Sequence, residues 1–215
     1  MTPEFPAVAG DAGDPLTATG GRLGAQLRFL LEIDRVKHVV RHNPLADGSR
    51  RENDAEHMWH LTVLAIVLAE HADEPVDLAR VLTMVALHDV VEIDTGDVLV
   101  YDAEARRAAA AAEREAAGRI FGLLPTDQAA ALRSLWAEFE ARQSPDARFA
   151  AAIDRLQPLL LNLAAGGGAW TTAGVTAARV RTANAHMAAG SARLWELAQE
   201  VIATAETAGM LAGST

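Results

Sequence analysis

The chain has 215 residues, half of them hydrophobic, no cysteine, and a formal net charge of −10. That length suits one domain with a sizeable core, while the missing cysteine excludes disulfides and thiolate metal sites. The acidic balance argues against long nucleic acid, whose phosphate backbone it repels.

Residues 1–20 are rich in Gly, Pro, Ala, Thr and Asp and show no apolar period, so they read as a flexible N-terminal tail. With no basic residue before Arg22 and no apolar leader, no signal peptide is expected, and the protein is read as cytoplasmic. No run approaches the roughly 18 apolar residues that span a membrane. Residues 21–212 are expected to form a single domain, with its core in about 23–163 and further helices after 168.

Leu23, Leu27, Leu30, Leu31 and Val36 recur at helical spacing and predict a first helix from Leu23 to Val39. The stretch Arg41 to Asn53 carries Asn43, Pro44, Asp47, Gly48 and Ser49 and reads as a loop. A second helix is predicted from Asp54 to His71, with Asn53 or Asp54 as N-cap. A third, apolar on most sides, is predicted from Val76 to Glu92, before a turn at Asp94-Thr95-Gly96-Asp97. Helices follow at 103–121, from Pro125 to before Ser144-Pro145, and from Ala147 to Ala165, where Gly166-Gly167-Gly168 stops the chain. Val175 to Thr207, broken near Gly190, completes an all-α layout. No strand with alternating period stands out.

His88-Asp89 sits on the most apolar helix. Adjacent helical side chains project about 100° apart, so both can reach one ion. Glu92 shares that face, four residues past His88 and three past Asp89. Three ionisable groups on an apolar helix need a compensating charge, and a divalent cation supplies one. His57, near the start of the preceding helix, is the natural third ligand. Asp154, among Ala151, Ile153, Leu156, Leu159 and Leu160, is the natural fourth. Two imidazoles and two carboxylates suit manganese, cobalt, zinc, nickel, magnesium or iron without choosing among them.

The order His57, His88-Asp89, Asp154 on successive helices resembles the HD superfamily of metal-dependent phosphohydrolases, and within it the 5'-deoxynucleotidase branch. Arg51-Glu52-Asn53-Asp54-Ala55-Glu56-His57 looks like the element before that branch's first metal histidine. His88-Asp89-Val90-Val91-Glu92-Ile93-Asp94-Thr95-Gly96-Asp97 looks like its HD-x-x-E-x-x-x-G-D element, and Phe149 to Leu161 like its later Asp-bearing helix. The resemblance covers roughly residues 23–163. It implies an HD-domain helical bundle with a buried metal site between helices. It also implies hydrolysis of a phosphomonoester, with a (deoxy)nucleoside 5'-monophosphate or similar small phosphate as substrate. His57, His88, Asp89 and Asp154 are then the ligands of one divalent ion. Glu92 positions or deprotonates the attacking water, Asp97 contacts the sugar, and Arg41 or a neighbour holds the phosphate. The first loop departs from the branch: Arg41-His42-Asn43-Pro44-Leu45 lacks its aromatic residue.

Positive side chains must balance charge on the phosphoryl oxygens. Arg35, Lys37, Arg41, Arg50 and Arg51 concentrate in this part of an acidic chain, and Arg41, Arg50 and Arg51 are the candidate phosphate contacts. Plainer roles compete with each assignment. His57 could simply open a helix, His88 and Asp89 could be an ion pair, Asp154 could pair with Arg155 or Arg148, and Asp97 could close a glycine turn. His60 reads as core or as support for His57, and Trp59, Trp136, Trp170 and Trp195 as core or interface, the latter favouring a homodimer. Two other functions compete with hydrolysis. An HD-type iron oxygenase needs two further histidines between His88-Asp89 and Asp154, where none occurs. A non-catalytic nucleotide-sensing HD module has no need of Glu92.

Overall fold

A computed structural model describes residues 19–213; the expected tail at 1–20 falls outside them except for its last two residues. The chain is all-α, as its composition implies, with ten α-helices and two short strands among the described residues. α1 spans Gly21–Ile33 and passes through a 3₁₀ turn into strand β1, Val40–Pro44, which pairs antiparallel with β2, Arg51–Asn53. α2 (Asp54–Leu68), α3 (Leu78–Leu87) and the short α4 (Glu92–Thr95) follow. α5 (Ala103–Phe121), α6 (Thr126–Ala141) and the long α7 (Pro145–Ala164) come next. α8 (Gly168–Ala173), α9 (Ala177–Asn184) and α10 (Ala192–Thr207) end the chain. Among the described residues, no helix is long and apolar enough to cross a membrane.

α7 is the central element. Its run of Ala147, Phe149 to Ile153, Leu156, Leu159 and Leu161 is buried on nearly every side. The larger core joins it to α2, α3, α8 and α10 through Leu61, Val85, Trp170 and Ile202, with Met187 from the 3₁₀ turn between α9 and α10. A second core packs Phe29, Met58, Val90, Ile120, Phe121 and Trp136 where α1, α5 and α6 meet. Trp136 and Trp170 are thus core residues, whereas Trp59 is 68% exposed on α2.

Several boundaries differ from those expected. The segment 41–53 is a hairpin rather than a plain loop. Its inward residues are Arg41 and Glu52, so the period-two alternation lies in buried charge and is invisible to hydropathy. The first helix stops at Ile33, and the second at Leu68, each followed by 3₁₀ turns. The third stops at Leu87 instead of Glu92, where the backbone leaves helical values (φ −129°, ψ −6°) and His88–Val91 tightens to 3₁₀. The His88 ring caps this break, its Nδ1 lying 3.1 Å from the Val85 carbonyl. The expected stop at Gly166-Gly167-Gly168 does end α7, but Gly168 immediately opens α8.

Gly168 has a positive φ of 45°, and a Cβ there would lie 2.5 Å from Asn162 Oδ1 and 2.7 Å from the Pro44 ring. The close approach seats the hairpin on the end of α7. Gly168→Ala is expected to destabilise the protein by about 1–3 kcal/mol through overpacking and left-handed strain. A urea titration checks this; an unchanged midpoint refutes the seating.

Candidate metal centre and active-site pocket

Asn53 and Glu56 form a capping box at the start of α2. The Asn53 side chain accepts from the Glu56 N–H at 3.0 Å, and Glu56 Oε2 accepts from the Asn53 N–H at 3.1 Å. This fixed start aims His57, one residue on, into the protein, where it is fully buried. Gln157 on α7 meets it. The Gln157 amide donates to Glu52 Oε1 at 2.8 Å, so its oxygen faces His57 Nδ1 at 3.1 Å. That oxygen can only accept, so the hydrogen of the imidazole sits on Nδ1 and the lone pair on Nε2. His60 Nδ1 lies 3.3 Å from the same Gln157 amide, which makes it a support of this network.

The Nε2 lone pair of His57 points at a carboxylate oxygen, Asp154 Oδ1, 3.1 Å away. His88 repeats the arrangement. Its Nδ1 donates to the Val85 carbonyl, and its Nε2 is buried without a hydrogen-bond partner. That Nε2 lies 3.4 Å from Asp154 Oδ1 and 3.1 Å from Asp89 Oδ1. Asp89 Oδ2 is 3.7 Å from His57 Nε2. With both imidazoles neutral, lone pairs and carboxylate oxygens thus converge with no hydrogen among them. Such a group repels itself unless a cation stands between its members, so the donor set fits a divalent metal. The ligand atoms of His57, His88 and Asp154 all lie within 4.8 Å of one another.

The electrostatics agree. Burial would lower the His88 imidazole, but Asp89 and Asp154 outweigh it and push it up to about 10. The field that draws a proton onto that nitrogen also draws a metal ion. Burial would raise the Asp154 carboxyl, but Arg155 and the two imidazoles hold it well below the usual carboxylate range. Asp89 is likewise held down against burial by His88 and Arg41.

A second group of oxygens, from Asp54, Asp89 and Glu92, adjoins the first. Arg41 enters it from β1, with Nη1 2.7 Å from Asp89 Oδ2 and 3.0 Å from Asp54 Oδ1, and Nε 3.5 Å from Glu52 Oε2. Burial and the neighbouring carboxylates of Asp89 and Asp54 push Glu92 well above its ordinary value. One Glu92 oxygen, Oε2, is buried without a partner.

His88, Asp89, Glu92 and Asp154 all line one pocket, together with Arg41 and Asp97. Asp97 accepts from the His42 N–H at 2.9 Å and so tethers the turn after α4 to the hairpin. Arg50 and Arg51 do not line this pocket. Arg50 is exposed and grips Glu56 at 2.6 Å, and Arg51 donates to the Arg41 carbonyl. Asp154 does pair with Arg155, at 3.1 Å through Oδ2, while Oδ1 stays with the imidazoles. Sequence reasoning passed over Glu52, Asp54 and Gln157. The first two lie inside the segment quoted before His57, and Gln157 lies three residues past Asp154, one turn along the same face; that spacing was the available signal.

Comparison with known proteins gives a consistent picture. The family model for the HD domain matches residues 33–195. The chain is 29% identical over 152 residues to the 5'-deoxynucleotidase HDDC2 of Bos taurus, covering 69% of this chain and 72% of that protein. The Homo sapiens 5'-deoxynucleotidase HDDC2 is 28% identical over 145 residues, covering 67% and 70%. The crystal structure of a predicted metal-dependent phosphohydrolase from Magnetospirillum magnetotacticum MS-1 superposes with a TM-score of 0.83. It is 49% identical and covers 89% of this chain and 99% of that one.

Proposed function

Since this chain belongs to the HD domain family and is a metal-dependent phosphohydrolase, we propose that it removes the phosphate from a (deoxy)nucleoside 5'-monophosphate or similar small phosphate. In this reading residues 21–212 act as one catalytic domain, and His57, His88, Asp89 and Asp154 hold one divalent cation. The observation that carries it is the pair of imidazole Nε2 atoms facing Asp154 Oδ1 at 3.1 and 3.4 Å. A cation held there would supply the charge that polarises a phosphoryl group and acidifies a water.

The chain's own groups do the rest. Glu92, with a buried free oxygen beside Asp89, orients the attacking water and accepts its proton. Asp97, at the pocket wall, accepts a hydrogen bond from a sugar hydroxyl. Arg41, bound by three carboxylates, holds Asp89 in position. The named activity of the HDDC2 relatives supports a nucleotide as substrate. The exposed Trp59, Val63, Ile66 and Val67 of α2 support a homodimer, and we place it in the cytoplasm.

Metal-stripped protein should be reconstituted separately with manganese, cobalt, zinc, nickel, magnesium and iron(II), and phosphate release read on a panel of phosphomonoesters. Release is expected with at least one metal, fastest from a nucleoside 5'-monophosphate. Glu92→Gln is expected to retain the metal and lose about a hundredfold or more in kcat. Metal uptake with no release from any ester overturns the reading and favours the sensing module.

A further inference from the structure

A phosphomonoester carries close to two negative charges into a pocket already lined by Asp89, Glu92, Asp97 and Asp154. Something positive must receive it. Arg41 is largely committed, since its Nη1 is bonded to Asp54 and Asp89 and its Nε, which has no hydrogen-bond acceptor, lies 3.5 Å from Glu52. Arg50 and Arg51 are turned to Glu56 and to backbone carbonyls.

Three other arginines line the pocket: Arg106 on α5, Arg142 just past α6, and Arg155 on α7. Arg106 and Arg142 make no side-chain hydrogen bond or salt bridge among the described residues, and Arg155 makes one, to Asp154 Oδ2. The Nε atoms of Arg142 and Arg155 are both buried without an acceptor, as is Nε2 of the neighbouring His186. Arg142 is the left-handed C-cap of α6 (φ 52°), the one non-glycine residue with positive φ among the described residues, and the helix end sets it at the pocket. Burial and the Arg155 charge both depress the Arg142 guanidinium. The same burial and both arginines push His186 down to about 4. Glu113, Glu140 and Asp154 face this group but leave those three nitrogens unmatched. Like charges pressed together with unmatched donors are stabilised when an anion joins them.

We propose that Arg142 and Arg155, flanked by Arg106, form the anion subsite that receives the phosphoryl oxygens of the substrate. The subsite adjoins the metal centre through one carboxylate: Asp154 Oδ2 contacts Arg155 at 3.1 Å, and Oδ1 faces both imidazoles. It rests on the phosphohydrolase reading for its substrate, but not for its affinity for phosphate.

Inorganic phosphate is therefore the probe. Its binding to the full chain should be measured by calorimetry, with and without added manganese, in parallel with KM and kcat for the best phosphomonoester. The variants are Arg142→Asn, whose side chain tolerates the left-handed backbone, and Arg155→Gln. Arg181→Gln, which breaks a distant exposed pair with Glu206, is the control. Parent and control are expected to bind phosphate alike. The two pocket variants are expected to weaken phosphate binding and raise KM by about tenfold to a hundredfold, as loss of a charged hydrogen bond does. Arg142→Lys should recover part of the loss. If the parent releases no phosphate from any ester yet binds phosphate through Arg142 and Arg155, the subsite stands and the hydrolase reading falls. If folded variants bind phosphate and ester as the parent does, or the parent binds no phosphate, the subsite is overturned.

Discussion

Asp154→Asn is expected to lose the bound metal and to lower phosphate release by about three orders of magnitude or more, since metal catalysis contributes several kcal/mol and each 1.36 kcal/mol is tenfold. Asp154 Oδ1 is the oxygen shared by both imidazoles, and no other carboxylate can replace it from α7. The variant keeps the shape of the side chain and can still bond Arg155, so the fold should survive. Without metal the variant should be somewhat less stable than the parent at neutral pH, because the carboxylate that Arg155 and the imidazoles hold ionised has been lost. With metal only the parent should gain stability, by about 2.7 kcal/mol when the metal is at a hundred times its Kd. Metal content, thermal midpoint with and without metal, and phosphate release measure the three effects separately. A variant that retains one metal per chain and parent-like turnover removes Asp154 from the centre.

Arg41→Met is expected to destabilise the protein by about 3–5 kcal/mol, the effect of removing one partner from a buried ionic group. The arginine is buried on the hairpin and touches Asp54, Asp89 and Glu52, which remain buried when it is gone. The loss should depend on pH in a definite direction. Burial and Asp89 already raise Asp54 from 3.8 to about 6, with Arg41 opposing them. A carboxyl raised in the folded state binds more protons there than in the unfolded chain. Its ionisation therefore lowers stability as pH rises through the folded value, and acid below that value relieves the penalty. Without Arg41 the folded value moves higher still, so the deficit of the variant should be larger at pH 8 than at pH 5. Urea midpoints at the two pH values test this. An equal deficit at both would show that packing, not charge, dominates at Arg41.

Some of this was legible in the chain alone because it is local. Helical periods, an N-cap at Asn53 or Asp54 and the glycine run after α7 are read within a few residues. Ionisable His57, His88, Asp89, Glu92 and Asp154 stand out because each interrupts an apolar helix, and the fold brings all five to one pocket or its wall. The break at Leu87 was not legible, since His88-Asp89-Val90-Val91 is compatible with both α and 3₁₀ hydrogen bonding. Its geometry is set by the His88–Val85 bond and by Trp136, which donates to the His88 carbonyl at 3.2 Å from α6.

What depended on tertiary structure was the pairing of charges. From sequence, Arg41, Arg50 and Arg51 are equivalent candidates for a phosphate, Arg155 is only a possible partner of Asp154, and nothing singles out Arg142. The hairpin turns Arg41 inward onto carboxylates of α2 and the α3–α4 turn, and leaves Arg50 to Glu56 in solvent. Packing of α6 against α7 brings Arg142 and Arg155 together with acceptors missing. Gln157 reaches Glu52 across 105 residues of chain and so sets which nitrogen of His57 is free. The amino-acid order determined which chemistry was available; only the burial of these groups against one another decided which charges are already neutralised and which remain for a ligand.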